Sequence, residues 1–208
     1  MESLELSAPL VRLASLIRGS PHNLVSRSAR EELLSRHIPE SVLLARQLPV
    51  SERPLRLLDV GSGGGLPGLV IALERPDLQV ALLEAKQKKV DFLRGAISEL
   101  GLDVVVHHGR AEDLSRTDLG GAFDLVTARA VAPLERLVPW TIPYLRPGGL
   151  LFAVKGERWQ DEVIDARTVL ARAGAAVIEA PAPASGPAAG PRIVLIARTR
   201  PIETTDMT

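Results

Sequence analysis

The sequence predicts an α/β fold, a doubly wound sheet that is mostly parallel, preceded by a small helical segment. Three observations lead there. From Leu55 onward, short apolar runs alternate with helical patterns, as a parallel sheet covered on both faces requires. One of these runs, Leu57-Leu58-Asp59-Val60, ends in an acid and a glycine-crowded turn, Gly61-Ser62-Gly63-Gly64-Gly65-Leu66-Pro67-Gly68. Near the end, the Ala/Pro/Gly-rich stretch Pro181 to Pro191 cannot be a crossover helix, so the strands on either side of it are expected to pair antiparallel.

Residues 1–50 read as the helical N-terminal segment. Leu6, Leu10, Leu13 and Ile17 recur at helical spacing, as do Leu33, Leu34, His37 and Ile38, with Gly19-Ser20-Pro21 between the two patterns. Residues 51–208 form the sheet domain. Its first strand starts at Leu55. The second runs from Leu78 to Leu83 with Glu84 at its carboxyl end, and a helix follows from Lys88 to Leu100. The third, Val104 to His108, leads into Gly109-Arg110-Ala111-Glu112-Asp113. The fourth, Phe123 to Thr127, releases Ala128-Arg129-Ala130-Val131-Ala132-Pro133 into the cleft. After the fifth, Leu150 to Val154, come Lys155-Gly156, a helix from Arg158 to Ala173, a sixth strand near Ala175 to Ala180 and a last one from Arg192 to Ala197.

Glycine is needed where backbone turns with positive φ or lies against a ligand, so the loop at 61–68 reads as a cofactor loop. Its register Gly63-x-Gly65-x-x-Gly68 fits a dinucleotide fingerprint, but Asp59 stands where a pyrophosphate would place its charge. A ligand with a cationic end and no phosphate suits that acid better. S-adenosylmethionine has this character, with an ammonium, a sulfonium, a ribose diol and an adenine. Glu84 is placed to accept both ribose hydroxyls, and the loop after the third strand to lie over the adenine. Substrate and methyl group are expected to meet at the end of the fourth strand.

Plainer readings stand beside these. Asp59 could cap the neighbouring helix, Glu84 could be a solvated strand-end acid, and Glu112 a first-turn acid favoured by a helix dipole. Arg129 leaves an apolar strand at the cleft mouth and needs a partner. Lys155 is expected to emerge at the carboxyl edge, either toward substrate or merely into solvent. Lys86, Lys88, Lys89 and Arg94 form a basic cluster that suits phosphates or simply solvates a helix face. Trp140 reads as core, and Trp159 as the aromatic nearer the cleft.

The 208 residues suit one domain with an accessory segment. Zero net charge and 3% aromatic residues announce no nucleic-acid partner. Without cysteine there are no disulfides or thiolate metal sites, and no metal is expected. The start carries no export pattern and the apolar runs are too short to span a bilayer, so a cytoplasmic, membrane-free monomer is the expectation.

A specific resemblance rests on Asn23-Leu24-Val25-Ser26, Arg36-His37-Ile38, Asp59 to Gly68 with its Leu-Pro-Gly ending, and Lys88-Lys89-Val90-Asp91-Phe92-Leu93. Gly109-Arg110-Ala111-Glu112, Thr127-Ala128-Arg129-Ala130 and Ala153-Val154-Lys155-Gly156 complete it. Over nearly its whole length the chain resembles the bacterial family of small-subunit ribosomal RNA methyltransferase G, also called glucose-inhibited division protein B. The resemblance implies a class I S-adenosylmethionine-dependent methyltransferase, Rossmann-like, acting on ring nitrogen 7 of a guanine in 16S rRNA of the small subunit or its precursor, with S-adenosylhomocysteine as product. It implies cofactor contacts from Gly61, Leu66, Glu84, Ala85, Lys86, Ala111, Glu112 and Arg129, beside Asp59, Gly63 and Gly65 of the loop. Arg129 and Lys155 are the candidates for orienting the guanine, and Arg36, His37, Lys88 and Lys89 for meeting RNA. Just before Asn23 the chain departs from the family, with Arg18-Gly19-Ser20-Pro21-His22 where members usually carry a Trp-Asn pair.

Overall fold

The computed structural model describes residues 5–129, 131–179 and 191–199. Ala130 and the Ala/Pro/Gly-rich stretch up to residue 190 lie outside the described residues. The helical segment opens with α1 (Ala8–Gly19), whose Leu10, Leu13, Ala14 and Ile17 are buried. The second helical pattern is not one helix. Ser26 caps α2 (Arg27–Glu31) through a 3.2 Å bond from the Ala29 N–H. A π-helical turn, Leu33–His37, then precedes α3 (Ile38–Gln47). Pro39 supplies the physical reason: it has no N–H for the preceding turn, and its ring crowds the carbonyl four residues back, so the ladder widens there.

The sheet domain contains β1 (Leu55–Val60), α4 (Gly68–Glu74), β2 (Leu78–Glu84), α5 (Gln87–Leu100), β3 (Val105–His108), α6 (Ala111–Leu114) and β4 (Phe123–Arg129). After these come α7 (Leu134–Thr141), β5 (Leu145–Lys155), α8 (Trp159–Asp165), α9 (Arg167–Arg172), β6 (Ala175–Glu179) and β7 (Arg192–Arg198). The helix expected from Arg158 to Ala173 is thus two short ones that meet at Ala166, and β5 begins five residues earlier than its apolar run.

The strand order is β3-β2-β1-β4-β5-β7-β6. Every pairing is parallel except those of β7, which runs antiparallel to both β5 and β6. This is the sheet the sequence predicts. Strands β1 and β4 are buried nearly end to end, as strands covered on both faces must be. Two apolar clusters fill the two faces. The helical segment belongs to the first of them: Leu13, Ile17, Leu33 and Ile38 share one core with Leu57, Leu69 and Ile71. A 2.6 Å ion pair between Arg12 and Glu99 ties α1 to α5. Between β1 and β4 the chain order reverses, and the crevice outside their carboxyl ends is where an open α/β sheet binds ligands.

Candidate active site

The glycine loop leaves β1 and returns into α4. Gly61, Gly63 and Gly65 all have positive φ, at 76°, 57° and 87°, so L side chains there would be strained. Gly61 and Ser62 donate to the Leu83 carbonyl at 2.8 and 3.1 Å, which welds the loop to β2. Leu66 is buried beneath it. Gly68 serves a different purpose, since a Cβ there would stand 2.3 Å from Leu82 and 2.9 Å from the Asp59 Cβ.

Asp59 lies under this loop at 1% exposure. One carboxylate oxygen accepts from the Gly68 N–H at 3.2 Å and the other from the Thr127 hydroxyl at 2.8 Å. Burial pushes its carboxyl up to about 6, against the lowering effect of the Thr127, Ser62 and Gly68 hydrogen bonds and of the Arg129 charge. The acid therefore acts on the loop from inside, and a direct salt link with a ligand's ammonium is not what these contacts give. They do test the ligand's class. The Gly68 N–H opens α4, where a pyrophosphate would seek donors, and a carboxylate already holds it. The cradle fits a ligand without phosphate, and S-adenosylmethionine has none.

Glu84 is 6% exposed at the end of β2. Its oxygens accept from the Gly63 N–H and the Lys86 N–H, both at 2.9 Å, so it bridges the glycine loop and the turn after β2. One N–H per oxygen leaves further lone pairs, which suits a diol. Ala85 and Lys86 are exposed beside it. Across β3, buried Ala111 opens α6, and its carbonyl accepts from the hydroxyl of fully buried Tyr144 at 2.7 Å, while Glu112 faces solvent. Tyr144 was invisible to sequence reasoning, because it lies 33 residues from its partner in an apolar run.

Arg129 ends β4 with its side chain 15% exposed and turned toward the helical segment. It donates to the His37 carbonyl at 3.1 Å and the Ser41 hydroxyl at 3.4 Å, touches the His37 ring nitrogen Nδ1, and lies 3.8 Å from Glu40. A guanidinium only donates, so Nδ1 accepts and carries no proton for Glu40, 3.6 Å away. Burial raises the Glu40 carboxyl, yet the hydrogen bond from Arg36 and the Arg129 and Arg36 charges bring it down to about 2. The Arg36 bond is 3.0 Å long. Arg36 and His37, read as RNA contacts, thus belong to the network that seats Arg129, with Arg36 more than half exposed.

Lys155 corrects an expectation. Its ammonium does not emerge at the strand edge: the side chain is 6% exposed, 2.6 Å from Glu162 of α8, and donates to the Ala132 carbonyl at 2.7 Å. The reason is Glu162, an acid in the first turn of α8. Trp159 packs against the second core cluster beside it, and Trp140 lies under the Arg136 guanidinium. Lys88 is exposed on α5, while Lys89 is half-buried, its ammonium 3.7 Å from where a Cβ on Gly63 would stand. Among the described residues, no group of three or more His, Cys, Asp or Glu is placed to hold a metal, and no helix is long and apolar enough to cross a membrane.

The family profile described as rRNA small subunit methyltransferase G matches residues 11–185. The ribosomal RNA small subunit methyltransferase G of Sorangium cellulosum is 47% identical over 165 residues, 79% of this chain and 69% of its own length. That of Mycobacterium leprae is 46% identical over 157 residues, 76% of this chain and 63% of its own. The match thus spans about two thirds of these relatives. Among solved structures, cofactor-bound Rv0187 from MTB superposes with a TM-score of 0.60 at 22% identity, over 96% of this chain and 94% of that one. A variant of MtNAS in complex with S-adenosylmethionine gives 0.62 at 18%, over 92% and 72%. At such identities the two structures speak for a shared fold alone.

Proposed function

The chain belongs to the rRNA small subunit methyltransferase G family, and from that premise we propose that it transfers a methyl group from S-adenosylmethionine to ring nitrogen 7 of one guanine in 16S rRNA, in the small ribosomal subunit or its precursor. The observation that carries the cofactor reading is the Asp59 carboxylate on the Gly68 N–H, which closes the phosphate-binding route of a glycine loop and leaves a phosphate-free cradle. S-adenosylmethionine supplies an electrophilic methyl on sulfur, and S-adenosylhomocysteine leaves.

The chain's own work is placement. Gly61, Gly63, Gly65 and Leu66 shape the cradle, held from below by Asp59. Glu84 takes the ribose diol with the lone pairs left after its two N–H contacts, flanked by Ala85 and Lys86. Ala111 and Glu112 bound the adenine, with the Ala111 carbonyl fixed by Tyr144. Arg129 joins the cofactor wall to the helical segment, residues 1–50, which roofs the glycine loop of the sheet domain, residues 51–208: a Cβ on Gly64 would lie 3.3 Å from Val25. Nitrogen 7 of guanine has a lone pair and no proton to lose, so the factor of about 10² to 10⁴ that a general base supplies is not needed. Holding the reactants in line is worth roughly 7 to 11 kcal/mol, and that can carry much of the acceleration. Lys88, Lys89 and Arg36 meet the RNA backbone, and Arg129 and Lys155 hold the guanine's surroundings. The protein works as a monomer in the cytoplasm, without a metal.

The test is transfer of labelled methyl from S-adenosylmethionine to small subunits and free 16S rRNA lacking the modification, followed by strand scission at 7-methylguanine. Label at one guanine is expected. Tight cofactor binding with no label on either RNA form would sink the rRNA assignment and leave the fold intact.

A further inference from the structure

We infer that Lys155 and Glu162 are a positioning pair whose task is to hold the segment after β4, Val131 to Leu134, against the glycine loop, so that the acceptor base meets the methyl group. This rests on the function proposed above and adds a residue, Glu162, and a role to it.

The pair is unusual in what it grips. A single Glu162 oxygen accepts from the Lys155 ammonium at 2.6 Å and from the Leu134 N–H, the first amide of α7, at 2.9 Å. The same ammonium donates to the Ala132 carbonyl at 2.7 Å. Two backbone atoms, two residues apart on one short segment, are thereby fixed by two charges from two other elements. At the segment's other end Val131 lies against the cofactor loop, 2.8 Å from where a Cβ on Gly61 would stand. A device anchored on β5 and α8 thus sets how close the post-β4 backbone comes to the loop that cradles the methyl donor.

Stability alone is a poor reason for this arrangement. A buried ion pair is often no more stabilising than apolar side chains of the same volume, because desolvation offsets the attraction. It does specify position, since each charge demands its partners at fixed directions. Methyl transfer is sensitive to this, since a misplacement of about 1 Å costs on the order of 100-fold in rate.

The full chain is compared with Glu162→Gln, Lys155→Met, Lys155→Arg and the double variant Lys155→Met with Glu162→Leu. Glu162→Gln and Lys155→Met are each expected to slow single-turnover methylation of 16S rRNA about 10- to 100-fold, with S-adenosylmethionine affinity changed by less than about twofold. The two losses should not add, because the groups act as one unit, and Lys155→Arg should recover part of the rate. The double variant keeps an apolar filling and answers the case in which a single variant fails to fold: it should be folded yet slow. Wild-type rate in that variant, or losses that merely track cofactor affinity or folded fraction, would overturn the inference. A readout independent of activity is hydrogen exchange at the Leu134 amide, which should lose protection in the double variant, where Glu162→Leu removes its acceptor, and unchanged protection there also overturns it. Wild-type protein that binds cofactor but methylates no rRNA would instead count against the function reading, with the exchange result still deciding the pair.

Discussion

The two walls of the cleft are built by opposite means. On the cofactor wall, buried acids accept from groups of the sheet domain: Asp59 takes the N–H of Gly68 and the hydroxyl of Thr127, and Glu84 the N–H groups of Lys86 and Gly63. On the wall proposed to receive the base, cations donate to backbone carbonyls. Arg129 holds a carbonyl 92 residues away on the helical segment, and Lys155 one 23 residues away with Glu162 behind it. The contrast teaches that the polar contacts beneath the cradle come from the sheet and its own loops, whereas the wall proposed to receive the base is tied to the helical segment and to α8.

The hardest way to break the cofactor wall is Asp59→Ala. It strips partners from the Gly68 N–H and the Thr127 hydroxyl under a residue 1% exposed. At pH 5 the carboxyl, pushed up to about 6, is largely protonated, so little charge penalty is relieved. Two orphaned buried groups then cost about 2 to 6 kcal/mol together. Urea unfolding at pH 5 should show that loss, with cofactor binding weakened in calorimetry. Unchanged affinity would remove Asp59 from the site.

The second prediction sharpens the comparison by sign. Asp59 has a folded pKa of about 6, above its ordinary 3.8, so the stability it contributes is present below about pH 4 and lost as pH rises through 6. Glu40, beside Arg129, is held at about 2, below its ordinary 4.5, so its contribution is present above 4.5 and lost as pH falls toward 2. Each amounts to about 3 kcal/mol at most. Stability measured from pH 3 to pH 7 should lose its high-pH decline in Asp59→Asn and its acid decline in Glu40→Gln. If both variants bend the same limb, the two walls are not electrically distinct.

A finer probe is Tyr144→Phe. Removing one hydroxyl leaves the Ala111 carbonyl without its 2.7 Å donor at the base of α6. About 1 kcal/mol of stability is at stake, and cofactor affinity should fall a few-fold while single-turnover rate at saturation holds.

What was legible in the sequence divides along the same line. The strand pattern, the antiparallel β7 and the glycine loop under its acid could be read because each is written within about ten residues. A π turn at Leu33–His37 could not, since helical spacing hid the effect of Pro39. Neither could the seats of Arg129 and Lys155. Their positions at the ends of β4 and β5 were plain, but their partners lie on other elements, and nothing local to Glu162 or Ser41 marks them. Tyr144, the only tyrosine in the chain, is fully buried, and its hydroxyl matters only through a carbonyl that folding brings to it.

The smallest expected effect on folding tests whether RNA is met outside both walls. Lys88 is exposed on α5, so Lys88→Ala should leave unfolding unchanged, as surface changes stay within about 0.5 kcal/mol. If its ammonium neutralises a phosphate, each such contact adds close to one to the slope of log affinity against log salt. The variant should therefore bind 16S rRNA with a slope shallower by about one and with cofactor affinity intact. Lys89 is the internal contrast, one residue on but half-buried beside Gly63. Should Lys89→Ala change cofactor affinity while Lys88→Ala changes only the salt slope, α5 divides its lysines between cradle and RNA. An unchanged slope in both would remove the two lysines of α5 from the RNA contacts.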